Sequence, residues 1–273
     1  MPLKLAVDLG GVQKTLLLPL WGRAVETCKQ KPLLVDSAAA QIIEKIDYDF
    51  STMTNSLSEI TRLSWIVRSL HIDRTIKRFL KNHPRATIVN IGCGLDTTLD
   101  RIDNGSLQWY NLDLPDVIDL RRNLIPEPDR STSISCSFLD ESWFQQVAIV
   151  DSVLFLAAGV FYYFDEIEIK KFFLRLADVF PASELLFDIA SLLGVRMANK
   201  KVIEAGGMDP TAILKWGIET AKHIQTWDKR IMLLEEYPMF KGMKKGLSFK
   251  NKYGTFLSDR LKIMSMVHLK ISS

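Results

Sequence analysis

Apolar residues recur at three- and four-residue spacing from about Glu59 to Lys81, where Leu63, Ile66, Val67, Leu70, Ile76, Phe79 and Leu80 share one side of a predicted helix. Pro84 cannot continue it, and the pattern changes at Ala86 to a short, continuous apolar run. Runs of this kind fall at 86–91, 108–112, 131–136, 152–157 and 184–188, separated by helical patterns near 115–124, 141–147 and 166–179. Such alternation predicts an α/β fold with a doubly wound, mainly parallel sheet covered on both faces and right-handed crossovers.

The flanks follow different patterns. Residues 1–35 read as an irregular arm and then a helix through Trp21 to Glu26; Asp36 reads as the N-cap of a helix from Ser37 to Lys45. Beyond Ala190 a helix is expected, then a break at Gly206-Gly207-Met208-Asp209-Pro210, and a helical stretch from Thr211 to Lys222. Two strand-like segments, Arg230 to Glu235 and Lys262 to Lys270, close the chain. The expected organisation is one domain over 1–273, with a helical cap (1–83), a core (84–190), and a lid with the last strands (191–273). Neither internal repeats nor low-complexity segments interrupt it.

Composition narrows the classes. With 273 residues, 47% hydrophobic and 25% charged, the chain can bury a full core and disorder is not expected. The net charge of +3 comes without a dense Lys/Arg stripe, so no nucleic-acid partner is expected. The locally basic stretch from Lys241 to Lys252 reads as a solvated loop. Cys28, Cys93 and Cys136 form no CxxC pair, which argues against a zinc site and a disulfide framework and fits a reducing cytoplasm. The longest apolar run, Val153 to Phe164, is too short to span a bilayer, and the first residues carry Lys4 and Asp8 without an apolar targeting segment. The expectation is a cytoplasmic protein without a membrane or metal partner.

The chemistry centres on Thr87-Ile88-Val89-Asn90-Ile91-Gly92-Cys93-Gly94-Leu95-Asp96-Thr97, a buried strand that runs into a turn with two glycines. Gly92 and Gly94 would let the backbone approach a nucleotide cofactor, and Asp113, about 20 residues on, ends the second strand where an acid can bind ribose hydroxyls. A dinucleotide loop needs a third glycine, yet position 97 is Thr. The loop therefore favours a mononucleoside-type cofactor such as S-adenosylmethionine over NAD.

Four segments, in order, carry a resemblance: Lys14-Thr15-Leu16-Leu17-Leu18-Pro19-Leu20-Trp21-Gly22-Arg23-Ala24, Ile88 to Thr97, Tyr110-Asn111-Leu112-Asp113-Leu114-Pro115-Asp116-Val117, and Ala158-Gly159-Val160-Phe161-Tyr162-Tyr163-Phe164. They resemble the leucine carboxyl methyltransferase family, and within it the tetracenomycin-type polyketide O-methyltransferase branch, over most of the chain. The resemblance implies a class I, Rossmann-like, S-adenosylmethionine-dependent O-methyltransferase whose last strands form an antiparallel edge, with Lys262 to Lys270 inserted between its neighbours.

It also implies roles. Asp113 would accept hydrogen bonds from both ribose hydroxyls. Arg68 stands where the family pairs an arginine with the cofactor's carboxylate, and Lys14 lies in the segment that closes over the site. Ser137, Phe138 and Asp140 follow the third strand, where adenine is held; relatives often carry Asp-Leu in place of Ser137-Phe138. Ala158 ends the fourth strand where many relatives have an acid. Arg23 is a candidate for orienting an acidic acceptor, as is a lysine from 206–222, and Tyr162 and Tyr163 are candidates for lining the acceptor pocket.

Methyl transfer from a sulfonium is an in-line displacement that needs no nucleophilic residue, so no catalytic residue is assigned. A carboxylate acceptor, ionised above a pKa of about 4, needs no base, whereas a phenol near 10 would. His71, His83, His223 and His268 show no base in a matched motif, which favours an acidic small-molecule acceptor on a carboxylate or hydroxyl oxygen. Two alternatives stay open on the residues alone: an NAD(P)-linked oxidoreductase, and an S-adenosylmethionine-binding protein without turnover.

Overall fold

The computed structural model describes residues 4–243 and 247–272. Seven strands form one sheet: β1 (Thr87–Ile91), β2 (Gln108–Asp113), β3 (Ser131–Ser135), β4 (Val153–Ala157), β5 (Glu184–Ala190), β6 (Ile231–Pro238) and β7 (Met264–Ile271). Their spatial order is β3-β2-β1-β4-β5-β7-β6. Pairs among β1 to β5 are parallel, and β7 lies antiparallel between β5 and β6. The expected insertion of the last strand is thus present. The strand order reverses between β1 and β4, and ligands in doubly wound sheets bind outside the carboxyl ends of strands at such a point.

The helices are α1 (Leu17–Thr27), α2 (Ser37–Lys45), α3 (Ser51–Ser56), α4 (Glu59–Asn82), α5 (Thr98–Ile102), α6 (Pro115–Leu124), α7 (Glu166–Val179), α8 (Leu192–Ala198) and α9 (Phe249–Arg260). Although β1 is buried along its whole length, its side chains still sort by the pleat. Ile88 joins Val67, Ile76 and Phe79 of α4 on one face, while Val89 and Ile91 join Phe172, Phe173 and Leu176 of α7 on the other. Each fully buried side chain of this size contributes roughly 1.5–3 kcal/mol of transfer free energy, so both helices are held to the sheet by packing. A third apolar cluster, with Leu17, Leu20, Trp21 and Ile42, seats α1 and α2 beside the glycine turn.

Three local expectations need correction. The helix expected near 141–147 is a 3₁₀ turn, Glu141–Gln146, with Trp143, Phe144 and the following Val147 buried. The stretch from Thr211 to Lys222 is extended until a 3₁₀ turn at Ala221–Thr226. Its buried residues alternate, Ala212, Leu214, Trp216 and Ile218, which is a period of two. Its backbone N–H groups bond elsewhere: Lys215 and Trp216 donate to Tyr162 O, and Ile218 to Ala190 O. Finally, the basic stretch expected as a loop from Lys241 to Lys252 runs into α9, capped by Ser248, whose Oγ accepts from Asn251 N at 3.3 Å; Lys244 and Lys245 lie outside the described residues.

Candidate active site

The turn after β1 is built from backbone conformation and buried arginines. Gly92 and Gly94 take φ of +60° and +48°, in the left-handed region that glycine enters without cost. A Cβ on Gly92 would lie 2.6 Å from Val160 Cγ2, and one on Gly94 3.1 Å from Leu16 Cβ. Protein neighbours therefore require glycine at both positions, independently of the expected approach of a ligand. Arg121 Nη1 donates to Gly94 O at 3.0 Å and Asp96 O at 2.7 Å, and Arg23 Nη2 donates to Leu95 O at 2.9 Å. These three carbonyls are held toward the helices of the cap and α6.

Arg23 in turn pairs with Asp36 at 2.8 Å. Asp36 caps α2 as expected, accepting from Ala39 N at 3.0 Å, and also accepts from Thr97 Oγ1 and Arg101 Nη1 at 2.6 and 2.9 Å. Arg23 does reach the cavity wall, but its Nε and Nη2 are engaged by Asp36 and Leu95, which makes it a brace of the turn and not a free cation for an acceptor. Asp96, half-buried in the turn, would be pushed up by desolvation; the charges of Arg23, Arg101 and Arg121 and the Thr98 hydrogen bond hold its carboxyl below the usual range.

Asp113 ends β2 and faces the turn. Its Oδ2 accepts from Gly94 N at 2.7 Å and its Oδ1 from Leu114 N at 2.8 Å, just before Pro115 opens α6. Burial pushes its carboxyl up to about 6, against the pull of the two amides. Each oxygen keeps acceptor capacity beyond its one amide bond.

Arg68 enters from α4 above the ends of β4 and β5. Its Nη1 donates to Asp188 Oδ2 at 3.1 Å and to Tyr162 Oη at 3.2 Å, while Asp188 Oδ1 accepts from Gly159 N at 2.7 Å. Gly159, with φ of +78°, makes room for this group: a Cβ there would lie 2.7 Å from Arg68 Nη1. Burial would lower the Arg68 pKa, but the Asp188 carboxylate more than reverses that, so the guanidinium is charged. Sequence reasoning missed Asp188; the signal available was one acid within the otherwise apolar Leu185-Leu186-Phe187-Asp188-Ile189-Ala190 strand.

One cavity of about 560 Å³ joins these groups. Gly92, Gly94, Asp113, Ser137, Phe138, Ala158, Arg68, Tyr162 and Tyr163 all line it, with Cys136, which sequence reasoning did not single out. Phe138 is buried edge-on against Phe161, Phe164 and Phe172. Two expected site residues fall outside the lining. Asp140 is exposed and caps the following 3₁₀ turn, accepting from Ser142 N at 2.9 Å. Lys14 sits half-buried on the 3₁₀ turn Gln13–Leu16, whose residues Gln13, Thr15 and Leu16 do line the cavity. Beyond Ala158 the cavity continues between α4, α8 and α9, past Trp65, Met197, Leu257 and Met264, a mostly apolar wall. Among the described residues no group of three His, Cys, Asp or Glu side chains is placed to hold a metal ion, and no helix is long and apolar enough to cross a membrane.

Residues 17–177 match the leucine carboxyl methyltransferase family, which is more than half of the chain. The chain belongs to that family. It is 30% identical over 235 residues to the tetracenomycin polyketide synthesis O-methyltransferase TcmP of Streptomyces glaucescens, covering 85% of each chain. It is 27% identical over 259 residues to the S-adenosyl-L-methionine-dependent methyltransferase dpfgK of Gibberella zeae, again covering 85% of each. A crystal structure of a DUF574 family protein from Streptomyces avermitilis superposes with a TM-score of 0.57 at 12% identity, covering 92% of this chain and 97% of that one, a likeness of fold. The protein is an S-adenosylmethionine-dependent methyltransferase, which sets the NAD(P) alternative aside.

Proposed function

We propose that the enzyme transfers a methyl group to an oxygen of a small, largely apolar acceptor, and that this oxygen belongs to a carboxylate. The observation that carries this reading is the continuous cavity that runs from Asp113 and Arg68, past the small residues Ala158 and Gly159, to the apolar wall between α4, α8 and α9. The donor set at one end fits the cofactor. Asp113 offers two oxygens to two adjacent hydroxyls, Arg68 a buried guanidinium to a carboxylate, and Ser137 and Phe138 a polar and an aromatic face to adenine.

Bound S-adenosylmethionine supplies the electrophilic methyl of a sulfonium. The protein's own task is to hold the acceptor oxygen in line with that methyl and to keep water out, which the apolar wall and the small Ala158-Gly159 step serve. No histidine lines the cavity among the described residues. Burial raises the pKa of both Tyr162 and Tyr163, so neither ionises near neutrality to act as a base. A described lining with no histidine, and with tyrosines that stay protonated near neutrality, suits an acceptor that is already ionised, and a carboxylate is one.

The test is transfer of labelled methyl from S-adenosylmethionine to a metabolite extract, followed by mild base. A methyl ester releases the label as methanol and an ether does not. Base-stable label would move the acceptor to a hydroxyl, and no transfer by protein that still binds S-adenosylhomocysteine would leave a binding protein without turnover.

A further inference from the structure

Of the charged side chains that line the cavity, Arg23 is paired with Asp36, Arg68 with Asp188, Asp96 accepts from Asn90 and Thr98, and Asp113 accepts from two amides. Lys201 is the remaining one, and among the described residues it has neither an ion-pair nor a hydrogen-bond partner. It stands on the acceptor side of the cavity. The hydroxyls of the facing α4 surface are turned back to their own helix: Ser64 Oγ donates to Thr61 O at 2.6 Å, Ser69 Oγ to Trp65 O at 3.1 Å, and Ser58 and Thr61 bond to each other. Among the described residues, Lys201 is the free cation that an anionic acceptor entering this wall would meet.

The position of Lys201 is set by backbone irregularity. Residues Asn199–Glu204 form a π-helical turn, in which Ala205 N donates to Lys200 O at 3.3 Å. A π turn carries one more residue per turn than an α-helix needs and so re-aims the side chains on it, a device common at functional sites. The turn is clamped: Asn199 Nδ2 donates to Leu214 O at 3.0 Å, and Leu214 N donates to Asn199 Oδ1 at 2.8 Å. The next residues, Lys215 and Trp216, donate to Tyr162 O at 2.6 and 3.2 Å. The segment bearing Lys201 is thereby tied to the residue whose hydroxyl contacts Arg68.

We infer that Lys201 forms an anion subsite that binds the acidic oxygen group of the acceptor and selects acids over neutral analogues of the same shape. The inference rests on the proposed transfer to a carboxylate. The flexible ammonium, exposed on the wall while the body of the acceptor lies on apolar surface, acts as a point charge with rotatable donors. It orients the acceptor and takes no part in the bond that forms.

The test uses full-length protein saturated with S-adenosylhomocysteine, with 2-naphthoate and uncharged 2-naphthamide as probes, read by titration calorimetry and by quenching of tryptophan fluorescence, since Trp65 lines the cavity. Wild-type protein is expected to bind the naphthoate about tenfold more tightly than the amide, the scale of one charge-assisted hydrogen bond. Lys201→Met should remove that preference by weakening only the acid, Lys201→Arg should keep it, and neither should change S-adenosylhomocysteine affinity. The inference is overturned by wild-type protein that binds neither probe at millimolar concentration or shows no preference, or by Lys201→Met that keeps the preference or loses acid and amide alike. If wild-type protein fails to bind S-adenosylhomocysteine, the functional reading falls; if it binds that ligand without preferring the acid, only the subsite does.

Discussion

In its proposed role as ribose acceptor, the Asp113 carboxyl, pushed up to about 6 by burial, should make cofactor affinity depend on pH in a way that can be worked out beforehand. Two ribose hydroxyls donate best to the ionised form, so the binding-competent fraction is the ionised fraction, and the apparent Kd is the intrinsic Kd divided by it. At pH 7.5 nearly all of the carboxyl is ionised; at pH 5 about one part in eleven is, so S-adenosylhomocysteine should bind about tenfold more weakly. Asp113→Asn replaces one acceptor oxygen by a donor that must face either the Gly94 or the Leu114 amide, and should weaken binding by about a hundredfold, with a flat pH profile. Stability runs the other way. A carboxyl with a raised folded-state pKa favours the protonated fold, so its contribution is largest below the ordinary value of 3.8, falls as pH rises to about 6, and is constant above that. The full span is at most about 3 kcal/mol, and it means that binding lost at pH 5 through this group is not unfolding. Nearby Asp116 raises the carboxyl further and Arg121 lowers it, so Asp113→Asn is the control that assigns the profile to this residue. Calorimetric titration between pH 5 and 7.5 decides: a constant Kd, or an Asp113→Asn protein that binds as wild type does, would refute the ribose-acceptor role.

Two structural substitutions test the frame around the cofactor. Asp188→Asn leaves the buried Arg68 guanidinium without its counter-charge and should cost about 3–5 kcal/mol, read as a lower Tm, together with weaker S-adenosylhomocysteine binding; unchanged melting would show that Arg68 does not depend on Asp188. Gly92→Ala forces an L residue to φ +60° and a methyl to 2.6 Å from Val160, whereas Gly105→Ala meets only the φ strain, having no atom within 4 Å of its Cβ. The first should lower stability by about 2–4 kcal/mol and the second by about 1 kcal/mol, so equal losses in denaturant titration would remove Val160 contact as the reason for that glycine.

The parts of this molecule readable from sequence are those whose pattern is local. The sheet runs at 86–91 and 152–157, the capping role of Asp36 and the Pro115 start of α6 each follow from a few neighbouring residues, and all are present. What failed was decided by distant partners. The segment 211–220 mixes helix formers such as Ala212 and Leu214 with Gly217 and β-branched residues, and its amides find Tyr162 and Ala190 carbonyls, so tertiary hydrogen bonding decided its path. Asp140 stood in the right place after β3 but turned outward to cap the next turn, a competing use that its sequence neighbour Ser142 could have suggested. Lys201 was invisible because its direction depends on a π turn, which has no periodic signature.

Tyr162, expected from the sequence to line the acceptor pocket, touches both ends of the cavity. The Tyr162 hydroxyl contacts Arg68 and Asp188 at the cofactor end, and its carbonyl accepts from Lys215 and Trp216, which continue from the Leu214 clamp on the turn that bears Lys201. In-line transfer tolerates little error in the separation of methyl carbon and acceptor oxygen, and a displacement of about 1 Å is enough to cost a hundredfold in rate. In the proposed transfer to a carboxylate, which needs no base, that separation is the main quantity this fold has to control. On that reading Tyr162, buried, bonded on both sides and with its hydroxyl held un-ionised by burial, would fix it with packing and hydrogen bonds instead of with a reactive group.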